Sequence, residues 1–238
     1  MPVYQLNRQI AFPDPRGADE DGIVAVGGDL APARVLAAYA CGIFPWPHEG
    51  MPLLWFSPDP RYLLPVGEIK LWRSLRQTLH KRPFRITLDR AFSRVMAGCA
   101  QAARKGERGT WITPALRRAF EALHEAGVAH SVEAWTGDEL AGGLYGLSLG
   151  GMFCGESMFH RRDDASKVAF VALVQQLARW NFDFVDAETY TPHMARYGTR
   201  PVPREQFLES LARTLRRETR RGPWVLDDDL PWVPKAGA

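Results

Sequence analysis

The apolar positions change their spacing several times along the chain, and each change marks an element. Residues 1 to about 60 carry short apolar runs cut by Pro and Gly: Phe12-Pro-Asp-Pro, Val26-Gly-Gly-Asp-Leu, Gly42-Ile-Phe-Pro-Trp-Pro and Ser57-Pro-Asp-Pro-Arg. Turns are expected there. One helix is predicted from about Pro32 to Cys41, with Val35, Leu36 and Tyr39 on its apolar side and Gly42 as its stop. Between Lys70 and Arg85, Leu71, Trp72, Leu75 and Leu79 recur at helical spacing. A strand at Phe84 to Leu88 and a helix from about Asp89 to Ala103 come next, then a polar, basic loop at Arg104 to Gly109. Thr113 offers a capping hydroxyl and Pro114 has no N–H to lose, so a helix is predicted to run to Ala126 before Gly127. From His130 to Phe153 the period shortens to two, with a turn at Gly137-Asp138 and several glycines, which predicts antiparallel strands thinned on one face.

The stretch Gly150 to Lys167 organises the rest of the chain around it: a glycine-broken strand carrying Glu156 in an apolar setting, then a turn into a helix from Ala165 to Trp180. Val168, Phe170, Val171, Leu173, Val174 and Leu177 cover more than one helix face, so this helix should be buried on most sides, either as ordinary core or as a pocket wall. A strand from Phe182 to Glu188 and a helix from Arg204 to about Arg216 complete the pattern, before a Pro- and Trp-containing tail that could fold back. The element order predicts a small N-terminal domain over residues 1–60 and a larger domain over 61–238.

Composition narrows the class. The 238 residues are 46% hydrophobic and 24% charged, a balance that supports a sizeable core. Cys41, Cys99 and Cys154 have no CxxC spacing and no close His, so neither a disulfide framework nor a zinc site is indicated and a reducing cytoplasm fits. No signal-peptide pattern opens the chain, and no window of about 18 apolar residues predicts a spanning helix, so no membrane is expected. A net charge of +3 is a weak pointer to an anionic partner.

Local charge says more. Lys70, Arg73, Arg76, Lys81, Arg82 and Arg85 fall within sixteen residues with no acid among them, and should project opposite the apolar side as a patch suited to phosphate, or as a merely solvated face. Trp46, stiffened between Pro45 and Pro47, suits stacking on a flat ligand or plugging a gap between domains. Asp186 and Glu188 lie two apart on the predicted strand and so project together. Two carboxylates that close resist double ionisation, which poises a weak base, unless they simply face water.

Eight motifs then line up in order: Gly27-Gly-Asp-Leu, Gly42-Ile-Phe-Pro-Trp, Trp55-Phe-Ser-Pro-Asp-Pro-Arg, Thr110-Trp-Ile-Thr, His130-Ser-Val-Glu, Gly142-Gly-Leu-Tyr-Gly, Phe153-Cys-Gly-Glu-Ser-Met-Phe and Ala165-Ser-Lys. Together, to about Leu211, they resemble the leucyl/phenylalanyl-tRNA-protein transferase family. The resemblance implies an α/β (α+β) fold in which a small N-terminal domain precedes a GNAT-like acyltransferase domain with a mixed, largely antiparallel sheet. It implies transfer of Leu or Phe, and less well Met, from tRNA to the N-terminal Arg or Lys of proteins, in the N-degron route of bacteria. By position, Trp46 and Trp111 resemble the tryptophans that hold the terminal adenosine, and Glu156 the acid at the aminoacyl-adenosine. Leu144, Phe153, Met158, Phe170, Leu173, Leu177 and Val185 fall at the apolar side-chain pocket, and the run beginning at Lys70 lies where the tRNA acceptor arm would pass. A pocket of that kind separates substrates by only about 1 to 3 kcal/mol per methylene.

The implied chemistry runs downhill from ester to amide, so no ATP, metal or bound cofactor is required and positioning should do most of the work. The attacking α-amine, with a free pKa of about 7.7 to 8.0, is partly neutral at pH 7. Asp186 and Glu188 are then the candidate acceptors for the proton it sheds. The family usually reads Asp-Cys-Gln here, whereas this chain reads Asp186-Ala187-Glu188. Glu188 is therefore expected either to accept the proton or to bind the cationic N-terminal residue, and a related transferase with a different amine acceptor is the alternative. A coenzyme A-dependent acetyltransferase would need a glycine-bearing pyrophosphate loop where this chain reads Arg161-Arg-Asp-Asp-Ala-Ser. An RNA-binding module without catalysis would keep the cations and tryptophans but not need Glu156, Asp186 and Glu188. The partners expected are Leu- or Phe-tRNA and Arg- or Lys-starting proteins, with the enzyme acting as a monomer.

Overall fold

The computed structural model describes residues 4–48, 50–102 and 110–230; the predicted loop at 104–109, the end of the helix before it at Ala103, and the last residues of the tail lie outside them. Where turns were expected at the N-terminal end, the chain builds a four-stranded sheet. It comprises β1 (Tyr4–Leu6), β2 (Ile23–Gly27), β3 (Phe44–Pro45) and β4 (Leu54–Phe56) in the order β1-β2-β4-β3, with β1 and β2 parallel. Strands of two to five residues are too short to display a period, which is why the sequence reads as turns. Helix α1 (Pro32–Ala40) buries Val35, Ala38 and Tyr39 against this sheet's core. It stops where Gly42 takes φ +77°, and a Cβ there would stand 2.8 Å from Leu208 and 2.9 Å from Phe207. The glycine thus serves both the left-handed turn and the close approach of the C-terminal helix.

The second sheet has seven strands: β5 (Arg61–Pro65), β6 (Arg85–Leu88), β7 (Ala129–Thr136), β8 (Glu139–Leu149), β9 (Met152–His160), β10 (Phe184–Asp186) and β11 (Arg200–Val202). Their order is β11-β5-β10-β9-β8-β7-β6. The β9–β10 pair is parallel and the remaining pairs are antiparallel, so the sheet is mixed and largely antiparallel as expected. Helices α3 (Phe92–Gln101) and α4 (Pro114–Glu125) pack in the core on one face, with Thr113 capping α4 through its hydroxyl. Helices α2 (Arg73–Lys81) and α5 (Ala165–Arg179) pack in the core on the other. Twelve of the fifteen residues of α5 are buried, which answers its many-sided apolar pattern. It meets β8 where a Cβ on Gly142 would stand 2.8 Å from Ala165 Cβ, so the thinned face of the strand is what admits the helix.

Several predicted boundaries move. Asp89 is not helical: it takes φ +56°, and its carboxylate accepts from the Ser131 and Trp224 amides and lies 2.8 Å from His130 Nδ1, so α3 begins only at Phe92. Trp224 in turn stacks on His130 with ring centroids 3.6 Å apart, which fixes the returning tail. The strand predicted to reach Glu188 ends at Asp186, because Glu188 adopts φ +60°. Beyond it lie a short helix α6 (Pro192–Ala195), the edge strand β11, and α7 (Arg204–Thr214), which ends two residues before the expected Arg216.

Candidate active site

Strand β9 carries an irregularity at the point where the chemistry collects. Tyr145 of β8 pairs with Ser157 and Gly146 pairs with Gly155, so Glu156 is an extra residue in the ladder. Its effect is legible in the packing: Phe153 and Met158 both face the α5 side, while Cys154 and Phe159 both face α3 and α4, although each pair is five residues apart. A bulge of this kind re-aims a side chain. Here Glu156 turns into a cavity of about 490 Å³. The wall of the cavity includes Phe44, Pro45 and Trp46 from the small sheet, Trp111 ahead of α4, and the 185–194 segment.

The cavity brings together most residues that the sequence singled out. Trp46, Trp111, Glu156, Asp186 and Glu188 line it, with Leu144, Phe153, Met158, Phe170 and Val185 as its apolar part. Leu173 and Leu177 do not. Both are fully buried in the core between α5 and the sheet, one and two turns further along the helix than Phe170, and so beyond the reach of the cavity. Trp46 is half-buried, its backbone N–H donating to Leu54 O across the small sheet and its ring set against Phe44, His48 and Phe56.

The acids arrange themselves differently from the expectation. Asp186 is fully buried and held by Arg61, whose Nε lies 2.9 Å from Oδ1 and Nη2 2.7 Å from Oδ2, and it also accepts from the Glu188 amide at 2.8 Å. Arg61 is itself buried, its guanidinium 4.8 Å from the centroid of Phe44 and 4.7 Å from that of Phe207. The charge of Asp186 is therefore matched, and the acid that weighs most on Glu188 is Glu156. Burial first, and then the Glu156 charge, push the Glu188 carboxyl well above its ordinary range. Burial pushes Glu156 up to about 8, with Tyr39 offsetting part of the rise and Asp186 adding to it. Between them sits the Cys154 thiol, 3.5 Å from Glu188 Oε1, raised by burial and by the surrounding carboxylates.

The basic run is not one helix face. Arg73, Arg76 and Lys81 lie on α2, Lys70 precedes it with its N–H on Tyr197 O, Arg82 caps it at φ 47°, and Arg85 stands on β6 with its guanidinium 5.4 Å from the Trp135 centroid. Arg76 turns back to donate to Leu71 O, whereas the other five are exposed. The start of the run nevertheless abuts the cavity wall: Arg196 packs on the ring of Trp72 at 3.9 Å, and His193, four residues before Tyr197, lines the cavity. Burial and the nearby Lys167, Arg196 and His160 lower the pKa of His193, so this rim is positive. Arg61, Tyr39 and Cys154 were not singled out from sequence. Arg61 ends a motif that stands out for its prolines, Tyr39 reads as one more apolar residue of α1, and nothing in the spacing joins Cys154 to the Glu188 carboxyl thirty-four residues away.

Comparison with known proteins bears on the same segments. A family model described as leucyl/phenylalanyl-tRNA protein transferase matches residues 63–212, and that of its N-terminal domain matches residues 28–59. The leucyl/phenylalanyl-tRNA–protein transferase of Anaeromyxobacter sp. (strain Fw109-5) is 53% identical over 95% of this chain and 97% of its own length. Those of Myxococcus xanthus (strain DK1622) and Desulfatibacillum aliphaticivorans are each 51% identical, over 94% and 96% of this chain and 97% and 98% of their own.

Proposed function

The chain belongs to the leucyl/phenylalanyl-tRNA–protein transferase family, and on that premise we propose that this aminoacyltransferase moves leucine or phenylalanine from tRNA to the N-terminal Arg or Lys of a protein. The observation that carries this reading at the level of the site is the single cavity that joins two indoles, an apolar recess and a pair of raised carboxyls. Trp46 and Trp111 take the terminal adenosine, a contact of about 1 to 3 kcal/mol per base that does not depend on tRNA identity. The amino-acid side chain enters the recess of Leu144, Phe153, Met158, Phe170 and Val185, and the acceptor arm runs back over Arg196 and the exposed cations of α2, which read backbone and not sequence. An Arg- or Lys-starting chain then enters beside Glu188. The free thiols suit a reducing cytoplasm, and the enzyme works as a monomer.

The reaction forms a C–N bond between the acceptor's α-amine and the ester carbonyl and breaks the C–O bond to the ribose. The proton shed by nitrogen goes to Glu188, and the departing ribose oxygen takes up a proton. Before a cationic acceptor arrives, burial and Glu156 favour the protonated form of Glu188. A cationic N-terminal residue shifts that balance toward the ionised form. The base thus becomes more competent when the acceptor is in place. Asp186, tied to Arg61 and to the Glu188 amide, is a positioning residue in this scheme.

The test is incubation with labelled Leu-tRNA, Phe-tRNA or Met-tRNA and peptides that begin with Arg, Lys or a neutral residue. Label moving from Leu- or Phe-tRNA to the Arg and Lys peptides, with less from Met-tRNA, is the expected result. Label reaching only another amine would favour the different-acceptor reading that Glu188 raises, and tRNA binding without transfer to any amine would overturn both.

A further inference from the structure

We propose that Cys154, Glu156 and Glu188 form a binding site for a thiophilic divalent cation, zinc by its donor set, and that its occupation blocks aminoacyl transfer. One ligand atom from each of the three residues lies within 4.8 Å of the others, and Cys154 Sγ and Glu188 Oε1 are 3.5 Å apart. Around a tetrahedral zinc, with Zn–S of about 2.3 Å and Zn–O of about 2.0 to 2.2 Å, neighbouring ligand atoms stand roughly 3.3 to 3.7 Å apart. One pair already stands at 3.5 Å, and a separation at the 4.8 Å limit would have to close by about 1 Å to reach that geometry. The β9 bulge and the left-handed backbone at Glu188 are what converge them from two strands, so no sequence spacing announces the site.

A second observation points to a missing ligand. The Tyr39 hydroxyl belongs to a residue 2% exposed and has no partner at hydrogen-bond geometry, and Glu156 Oε1 is buried without one. Tyr39 interacts electrostatically with Glu156, Glu188 and Cys154 alike, so its oxygen faces the same cluster. The carboxyls find their partners within the cluster, Glu156 in Tyr39 and Cys154, and Glu188 in Cys154, and Tyr39 Oη and Glu156 Oε1 stop short of full hydrogen-bond geometry. Arg61 is paired with Asp186, and its charge also favours the ionised forms of Glu156 and Glu188 without bonding either. A divalent cation would supply the direct ligation that Arg61 does not. Magnesium and calcium take oxygen ligands, whereas a thiolate with two carboxylate oxygens suits zinc or cobalt. On binding, the thiol and any protonated carboxyl release their protons to solvent.

Glu156 and Glu188 line the cavity, so an ion they held would sit at its wall, where the functional reading puts ester and amine. The ion would occupy that place and tie up the proton acceptor; only this blocking role rests on the functional reading above. The direct test needs no activity. The metal-free full chain carrying Cys41→Ala, which removes the exposed thiol, is titrated with Co²⁺ and read by thiolate-to-cobalt charge-transfer absorption. One equivalent with a charge-transfer band is expected, displaced by Zn²⁺, lost in Cys154→Ser, and weakened at least about tenfold in Glu188→Gln, a loss in the range that perturbed metal sites show. No band, or a band that persists in Cys154→Ser, overturns the site. A band that Glu188→Gln leaves unweakened overturns the proposed ligand set. The second arm measures transfer with and without Zn²⁺ as a ratio within each variant. Loss of transfer in zinc, reversed by a chelator and much reduced in Glu188→Gln, supports the block; a loaded enzyme that transfers at full rate overturns it. If the metal-free enzyme transfers nothing at all, the functional reading has failed, and the cobalt titration still decides the site.

Discussion

A single carboxyl shows how burial and neighbours, more than residue type, set what a side chain can do. Glu188 and Glu156 are both raised in the folded state, so unfolding lets them ionise and the folded state binds the extra protons. Their contribution is therefore present below the ordinary glutamate pKa and is lost as pH rises through the folded values, for Glu156 over the window from 4.5 to about 8. Wild-type stability should fall across that window, by an amount on the order of a few kcal/mol if both groups act. Glu188→Gln should match wild type near pH 5, exceed it near pH 8 and show a flatter curve, which urea unfolding at several pH values measures. An equally steep curve in Glu188→Gln would remove the buried-pair account. The same variant tests the chemistry: transfer should slow by roughly 10²-fold or more, the contribution of a positioned base, and its pH profile should lose the Glu188 limb. A variant with unchanged rate and profile would mean that Glu188 takes no proton. Glu188 stood out in the sequence because the resemblance implies a neutral residue at its place. Glu156 stood out as well, but its pairing with Glu188 did not, since an alternating strand pairs positions two apart and a bulge is invisible to that count.

At the level of elements, the long periodic segments were legible and the short ones were not. Helix α5, the β7–β8 hairpin and the Thr113 cap came directly from spacing and composition. The small N-terminal sheet, α6 and β11 did not, because two to five residues hold too little pattern and their form comes from what they pack against. The basic run is an intermediate case: its apolar spacing placed α2, but the ends of the run leave the helix, so the patch is narrower than six cations on one face. Arg73→Ala and Lys81→Ala, on the exposed side of α2, should each weaken binding of Leu-tRNA and lower the slope of log affinity against log salt by about 0.7 to 0.9 per lost phosphate contact. Arg76→Ala should change the slope less, since its Nε is committed to Leu71 O. Arg85→Ala should act mainly through Trp135 and leave the slope near wild type. Filter-binding titrations across salt concentrations read all four, and equal slopes throughout would dismiss α2 as the tRNA-facing element.

For the whole molecule, Arg61 is the joint. It stands at the first residue of β5, where the four-stranded sheet gives way to the seven-stranded one, and it touches Phe44 of the small sheet, Phe207 of α7 and Asp186 of β10. Nothing in the sequence relates Arg61 to an aspartate 125 residues on. Trp46 rides on the small sheet and Glu156 on the large one, so the cavity keeps its shape only while this joint holds. Breaking a buried pair from one side leaves a charge uncompensated, and Arg61→Met should cost about 3 to 5 kcal/mol. Asp186→Asn should cost less, because the guanidinium keeps the faces of Phe44 and Phe207, an interaction of about 2 kcal/mol when desolvated. The double variant, Arg61→Met with Asp186→Leu, removes both charges and should regain much of the loss, since apolar replacement of a buried pair is often close to neutral. Urea unfolding of the wild type, Arg61→Met, Asp186→Leu and the Arg61→Met/Asp186→Leu double variant gives the coupling energy directly. A coupling of about 2 kcal/mol or more is expected, together with a rise in KM for aminoacyl-tRNA in Arg61→Met as Trp46 loses its fixed distance from the large sheet. A coupling near zero would mean that the two sheets are joined by apolar packing alone, and that the geometry of the cavity does not depend on this pair.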